Sequence, residues 1–159
     1  MKIRSLYILI AIFSSTLLFA GGSPKTDNEI YNEGVHLMME LKFSKAEKKF
    51  QKALKGSPDF AEAHNNLAYC LRKQGEKYYE EAMQHYNKAI ELKPDAAEPY
   101  MYRGVLFVSM GNKEAALRDH ATLIDLGADK LATELEWVIT NSKEKEPEQF
   151  FGVFQKVDA

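Results

Sequence analysis

The side chains in this sequence with the most to offer chemically are its four histidines and single cysteine, as bases, nucleophiles or soft-metal ligands. His36 and Cys70 occupy the same place in two successive stretches of a repeating pattern, so a repeating fold would carry them in adjacent units. A zinc site needs three or four converging ligands, and this pair offers two. No Gly-rich phosphate loop, G-x-S-x-G elbow, H-E-x-x-H helix or pair of metal-ligand cysteines occurs, and nothing sets a nucleophile beside a base. The expectation is a non-catalytic chain with no metal and no cofactor. One cysteine excludes an intramolecular disulfide, and the place of Cys70 within a repeat favours a buried thiol.

The elements that would position these residues follow from composition and pattern. With 159 residues, 45% hydrophobic and 28% charged, the chain has room for one domain with a real core and is not a disordered sequence. A formal net charge of −2 with no basic stripe argues against nucleic acid as a partner. Lys2 and Arg4 precede an apolar run from Leu6 to Ala20, followed by Gly21, Gly22, Ser23 and Pro24. That is the layout of a secretory signal peptide, too short and too hydroxylated at Ser14, Ser15 and Thr16 for a comfortable bilayer span. The expectation is an exported protein, periplasmic or secreted, with the membrane as a partner only if residues 1–20 stay attached as an anchor. No cysteine directly follows the run, so a lipoprotein arrangement is not expected.

Aligned on itself, the chain brings together residues 27–60, 61–96 and 97–130 after a linker at 21–26. The first stretch supplies Ile30, Gly34, Leu37, Ala46, Phe50, Ala53 and Pro58. The second supplies Leu67, Ala68, Leu71, Gly75, Ala82, Tyr86, Ala89 and Pro94, with a turn lengthened by two residues at Glu76–Tyr79. The third supplies Tyr100, Gly104, Phe107, Gly111 and Ala116, with His120, Leu123 and Ala128 in the last slots. This pattern resembles the tetratricopeptide-repeat family, whose 34-residue helix–turn–helix unit carries small residues where two helices touch and a proline after the second. Glu33 departs from the usual Leu. His64 and His120 stand in aromatic slots, where half-buried packing is the expected role. The resemblance implies an all-α fold, an α-solenoid of three hairpins.

Gly34, Ala68 and Gly104 are expected where the first helix of a hairpin meets the second, with Ala46, Ala82 and Ala116 opposite. Phe50 and Tyr86 should fill the wedge between hairpins, and Pro58 and Pro94 should stop their helices. Leu131, Leu135, Val138 and Ile139 keep helical spacing. Residues 131–159 read as a degenerate fourth, capping repeat in which Phe150, Phe154 and Val157 continue the register. The alternative is a tail, rich in Phe150, Phe151 and Phe154, that docks on a partner or in its own groove.

Such stacks work along the concave face lined by the first helix of each hairpin. The family's groove-facing slots select Asn28, Tyr31, Val35 and Met38 from the first repeat, Asn65, Tyr69, Arg72 and Lys73 from the second, and Met101 and Val105 from the third, with Glu62 and Glu98 among their neighbours. The resemblance therefore implies a monomeric module that grips an apolar segment of a protein or peptide. A membrane-tethered assembly factor is the alternative. Chaperone-binding members clamp a carboxylate with two Lys, two Asn and an Arg. The matching positions are Tyr31, Val35, Asn66, Glu98 and Tyr102, and only Asn66 agrees, so that ligand is not expected here.

Overall fold

The structure, a computed structural model, describes residues 24–144. Its regular elements are helical: α1 (Asp27–Met39), α2 (Phe43–Gly56), α3 (Ala61–Lys73), α4 (Tyr79–Leu92), α5 (Ala97–Ser109), α6 (Lys113–Asp125) and α7 (Asp129–Asn141), with one short 3₁₀ turn at Glu76–Tyr78 in the lengthened connection before α4. Among the described residues no helix is long and apolar enough to cross a membrane.

Local sequence explains each boundary. Thr26 caps α1 by accepting from the Glu29 amide at 3.2 Å, while the Glu29 carboxylate takes the Thr26 amide at 2.7 Å, a reciprocal box that satisfies two orphan donors. Asn112 caps α6 through the Ala115 amide at 3.0 Å. Pro58 and Pro94 lie just beyond the ends of α2 and α4. The third hairpin lacks that proline, and its second helix is stopped differently: Gly127 takes φ +69°, a left-handed conformation that glycine adopts without strain.

The helices form a succession of hairpin pairs, α1 on α2, α3 on α4 and α5 on α6, with α2 packing on α3, α4 on α5 and α6 on α7. In α2, Ala46, Phe50 and Ala53 are fully buried while Lys45, Lys48, Lys52 and Lys55 face out, a narrow apolar stripe at helical spacing. Buried aromatics tie the units together. Tyr31 lies 5.5 Å from Phe50 and 4.7 Å from Phe60, and Tyr102 lies 5.1 Å from Tyr69 and 6.4 Å from Tyr86, ring centre to ring centre. Tyr86 thus bridges neighbouring hairpins as expected. Phe50 instead fills its own hairpin, against Gly34 and Tyr31.

The two glycines of the first helices have different neighbours. A Cβ at Gly34 would come within 2.7 Å of the Phe50 ring, inside its hairpin as expected. A Cβ at Gly104 would come within 2.5 Å of Leu135 on α7. The expected neighbour was α6; the observed one belongs to the helix that follows the third hairpin. α7 buries Ala132, Leu135, Val138 and Ile139 against α5 and α6. It ends at Ser142, which takes φ +53°. The N-terminal segment 1–20 and the aromatic positions Phe150, Phe151 and Phe154 lie outside the described residues.

Candidate partner-binding face

The first helices α1, α3 and α5 carry all ten groove positions, yet they do not present them alike. Tyr31, Val35, Met38, Asn65, Tyr69, Arg72, Met101 and Val105 are buried, and Asn28 and Lys73 are half-buried. An apolar trough open along its whole length is therefore not what the fold presents. The reason is size: tyrosines on successive first helices reach one another, as Tyr69 does Tyr102, and the aliphatic residues between them become packing.

At the C-terminal end of α3 the face is closed by charge. Arg72, 4% exposed, donates from both Nη1 and Nη2 to Glu144 at 2.8 and 2.9 Å, and the Lys73 ammonium adds a contact at 3.2 Å. The guanidinium also stands 5.2 Å from the centre of the Tyr69 ring. Burial pushes the Glu144 carboxyl up, but the Arg72 and Lys73 cations outweigh it and hold the carboxyl below its usual value. The basic spot that sequence marks as a contact for a partner is thus occupied by the chain's own carboxylate.

At the N-terminal end the same face opens. A cavity of about 210 Å³ lies between α1, α3, the end of α4 and the start of α5, lined by Tyr31, Glu62, Asn65, Asn66, Lys93 and Glu98, with Ala61, Ala89, Ala96 and Pro99 as its apolar wall. A hydrogen-bond relay orients its floor. Asn65 Nδ2 donates to Asn66 Oδ1 at 3.1 Å, and Asn66 Nδ2 donates to the Tyr31 hydroxyl at 2.9 Å. That engages the Asn65 amide nitrogen and leaves its Oδ1 buried and without a hydrogen-bond partner, on a residue that lines the cavity. Such an acceptor costs about 1–3 kcal/mol when left unsatisfied. Lys93 bonds Glu62 across the mouth. Burial raises the Tyr31 phenol's pKa first, and the Glu62 and Glu98 carboxylates raise it further, so the field of both acids reaches the floor. Three of the five positions matching the carboxylate clamp, Tyr31, Asn66 and Glu98, meet here, and they make an acidic site instead of a basic one.

The chemistry-bearing residues elsewhere are structural. Cys70 is buried, and burial pushes its thiol far up, away from the reactive thiolate. His36 is a surface residue near Glu40. His64 donates from Nε2 to the Pro58 carbonyl at 2.9 Å, which makes its Nδ1 the acceptor of the His85 Nδ1–H at 2.8 Å. His85 was not singled out by sequence; only the folded hairpin brings it to His64. Among the described residues no cluster of three or more metal-binding side chains forms.

Comparison with known proteins agrees with this architecture. Residues 76–111 match the family described as TPR repeat, and residues 49–84 match the family described as tetratricopeptide repeat. The chain is 35% identical over 72 residues to the UDP-N-acetylglucosamine–peptide N-acetylglucosaminyltransferase of Giardia intestinalis, covering 45% of this chain and 5% of that protein. It is 31% identical over 97 residues to Hsp70-Hsp90 organizing protein 1 of Glycine max, covering 61% of this chain and 17% of that protein. The chain therefore spans a small part of these curated relatives. Among solved structures, the type III secretion translocator chaperone SycD of Yersinia enterocolitica superposes with a TM-score of 0.67 at 15% identity, over 76% of this chain and 93% of that one. YrrB, described as a TPR protein with an unusual peptide-binding site, superposes with a TM-score of 0.65 at 23% identity, over 72% and 59%. Helix order and these superpositions agree on an all-α solenoid of helical hairpins, and its residues 49–111 carry tetratricopeptide repeats.

Proposed function

We propose that this chain is a non-catalytic binding module that holds a segment of a protein or peptide on its concave face, at the N-terminal ends of α1, α3 and α5. The observation that carries this reading is the cavity between Tyr31, Asn65 and Glu98, an opening on a face that is otherwise packed shut. Its mixture of an apolar wall and a few oriented polar groups is that of a recognition site. The chaperone and peptide-binding descriptions of the structural neighbours support the same class of function. The 72-residue likeness to a glycosyltransferase covers too little of that enzyme to support catalysis.

The same reading places the module outside the cytosol, on the strength of Lys2, Arg4 and the apolar run Leu6–Ala20. Amino-terminal sequencing of the native protein decides between cleavage after this run and its retention as a tether. The binding function is tested by capture from native extract on the full chain, beside a Glu98→Lys variant and an Arg118→Glu variant on the outer side of α6. Loss of the captured protein with Glu98→Lys alone is the expected result. Equal capture by all three chains contradicts the reading.

A further inference from the structure

The polarity of the cavity specifies what enters it. Its acceptors are the Asn65 Oδ1, buried and unpartnered, and the carboxylates of Glu62 and Glu98. Its one cation, Lys93, is already bonded to Glu62, so the pocket keeps a net negative charge. The Asn65 orientation is tied to the relay through Asn66 to Tyr31, so its oxygen and nitrogen exchange places only if the Asn66 amide and the Tyr31 hydroxyl turn with them. At about 210 Å³ the cavity is smaller than the ~300–1,000 Å³ that accommodates a drug-sized ligand or cofactor. It has the size of one long side chain, with an alanine and proline wall for an aliphatic stem and acceptors for a charged head.

We propose that this cavity is a specificity pocket for an arginine side chain of the bound peptide. The inference rests on the binding-module reading above and deepens it. A guanidinium presents several donors in one plane and can serve the Asn65 oxygen and the Glu98 carboxylate together, with Glu62 at the rim. An ammonium is a compact point charge that Lys93 already duplicates there. An acidic residue or a chain-terminal carboxylate would meet two carboxylates and an oxygen lone pair, and is rejected. The pocket therefore selects by charge as well as by fit.

The test uses the full chain and a displayed library of random 12-residue peptides. Selection on the parent protein is expected to enrich arginine at one position. The best peptide is then synthesised with arginine, with lysine and with citrulline, which keeps the shape and removes the charge. Affinity is expected to fall at least about tenfold for citrulline and for the arginine peptide on Glu98→Gln, with a smaller fall for lysine. Circular dichroism and urea unfolding of Glu98→Gln should match the parent, since Glu98 is half-buried at a helix start. Enrichment of peptides without arginine, or equal binding of the citrulline form, overturns the pocket assignment while leaving the binding module intact. Enrichment of Asp or Glu overturns it and reverses the amide orientation of Asn65. Failure to select any peptide overturns both readings.

Discussion

The two ends of α3 carry the same face of the solenoid to opposite outcomes. At its C-terminal end a buried cation, Arg72, meets a carboxylate from 72 residues further along the chain, which takes one bond from each guanidinium Nη and leaves only Nε without a partner. At its N-terminal end, about 10 Å away by helical rise, the Asn65 oxygen is as deeply buried and has no partner, beside two carboxylates and one cation. A buried polar group with an internal partner is part of the fold. The Asn65 oxygen differs in belonging to a residue that lines a cavity, so its desolvation has been incurred beside space that a ligand group can fill.

That contrast is breakable, first at the closed end. Glu144→Ala should destabilise the protein by about 3–5 kcal/mol in urea unfolding, since it leaves the Arg72 charge buried and unpaired. At the open end, Glu98→Gln should change stability by less than about 0.5 kcal/mol, because no fold contact depends on that charge. If the two substitutions cost the same, the distinction between a structural and a ligand-ready polar group fails. Gly104→Leu should cost about 1–3 kcal/mol by driving into Leu135, and pairing it with Leu135→Ala should recover part of that loss. Additive costs would show that α7 does not close on α5 as described.

Acid separates two further groups. Burial, with the nearby His64, pushes the His85 imidazole down to about 4, against about 6.5 in an unfolded chain. The unfolded state then binds a proton that the folded state refuses, so this contribution is present above about pH 6.5 and is lost as pH falls toward 4. Half-burial limits it to about 1–2 kcal/mol. Glu144 is held below its ordinary value, so its contribution persists above about pH 4.5 and is lost below that. His85→Gln should flatten the first limb alone, which a stability-against-pH series reads directly. The smallest effect expected is a null one: native Cys70 should not react with a thiol reagent on the timescale on which the unfolded chain does.

Much of this architecture is legible in sequence because it is local and repeated. The small residues Gly34 and Ala46, the aromatic at Tyr86 and the prolines Pro58 and Pro94 each report a contact or stop within one repeat. The stop at Gly127 was legible in principle, since a glycine in place of the absent proline signals a left-handed helix end. The partner of Gly104 was misread because nothing local says that Leu135, on the helix after the third hairpin, will reach it. The repeat register sets Tyr31 on α1 and Asn65 and Arg72 on α3, where the structure has them. Which parts of the concave face are open was not legible. That depends on Glu144 reaching Arg72 across 72 positions, and on Tyr69 meeting Tyr102, both products of tertiary packing. The Asn65 relay likewise involves neighbours on two helices, and the His64–His85 pair joins α3 to α4 at no characteristic spacing.

The central claim is that partners meet this protein at the open end of its concave face. A photoreactive phenylalanine analogue placed at Glu98, and in a parallel chain at Arg118 on the outer side of α6, tests it in the native cell. The account predicts a covalent adduct with a second protein from the Glu98 position and none from Arg118. Adducts from Arg118 with none from Glu98 would contradict it.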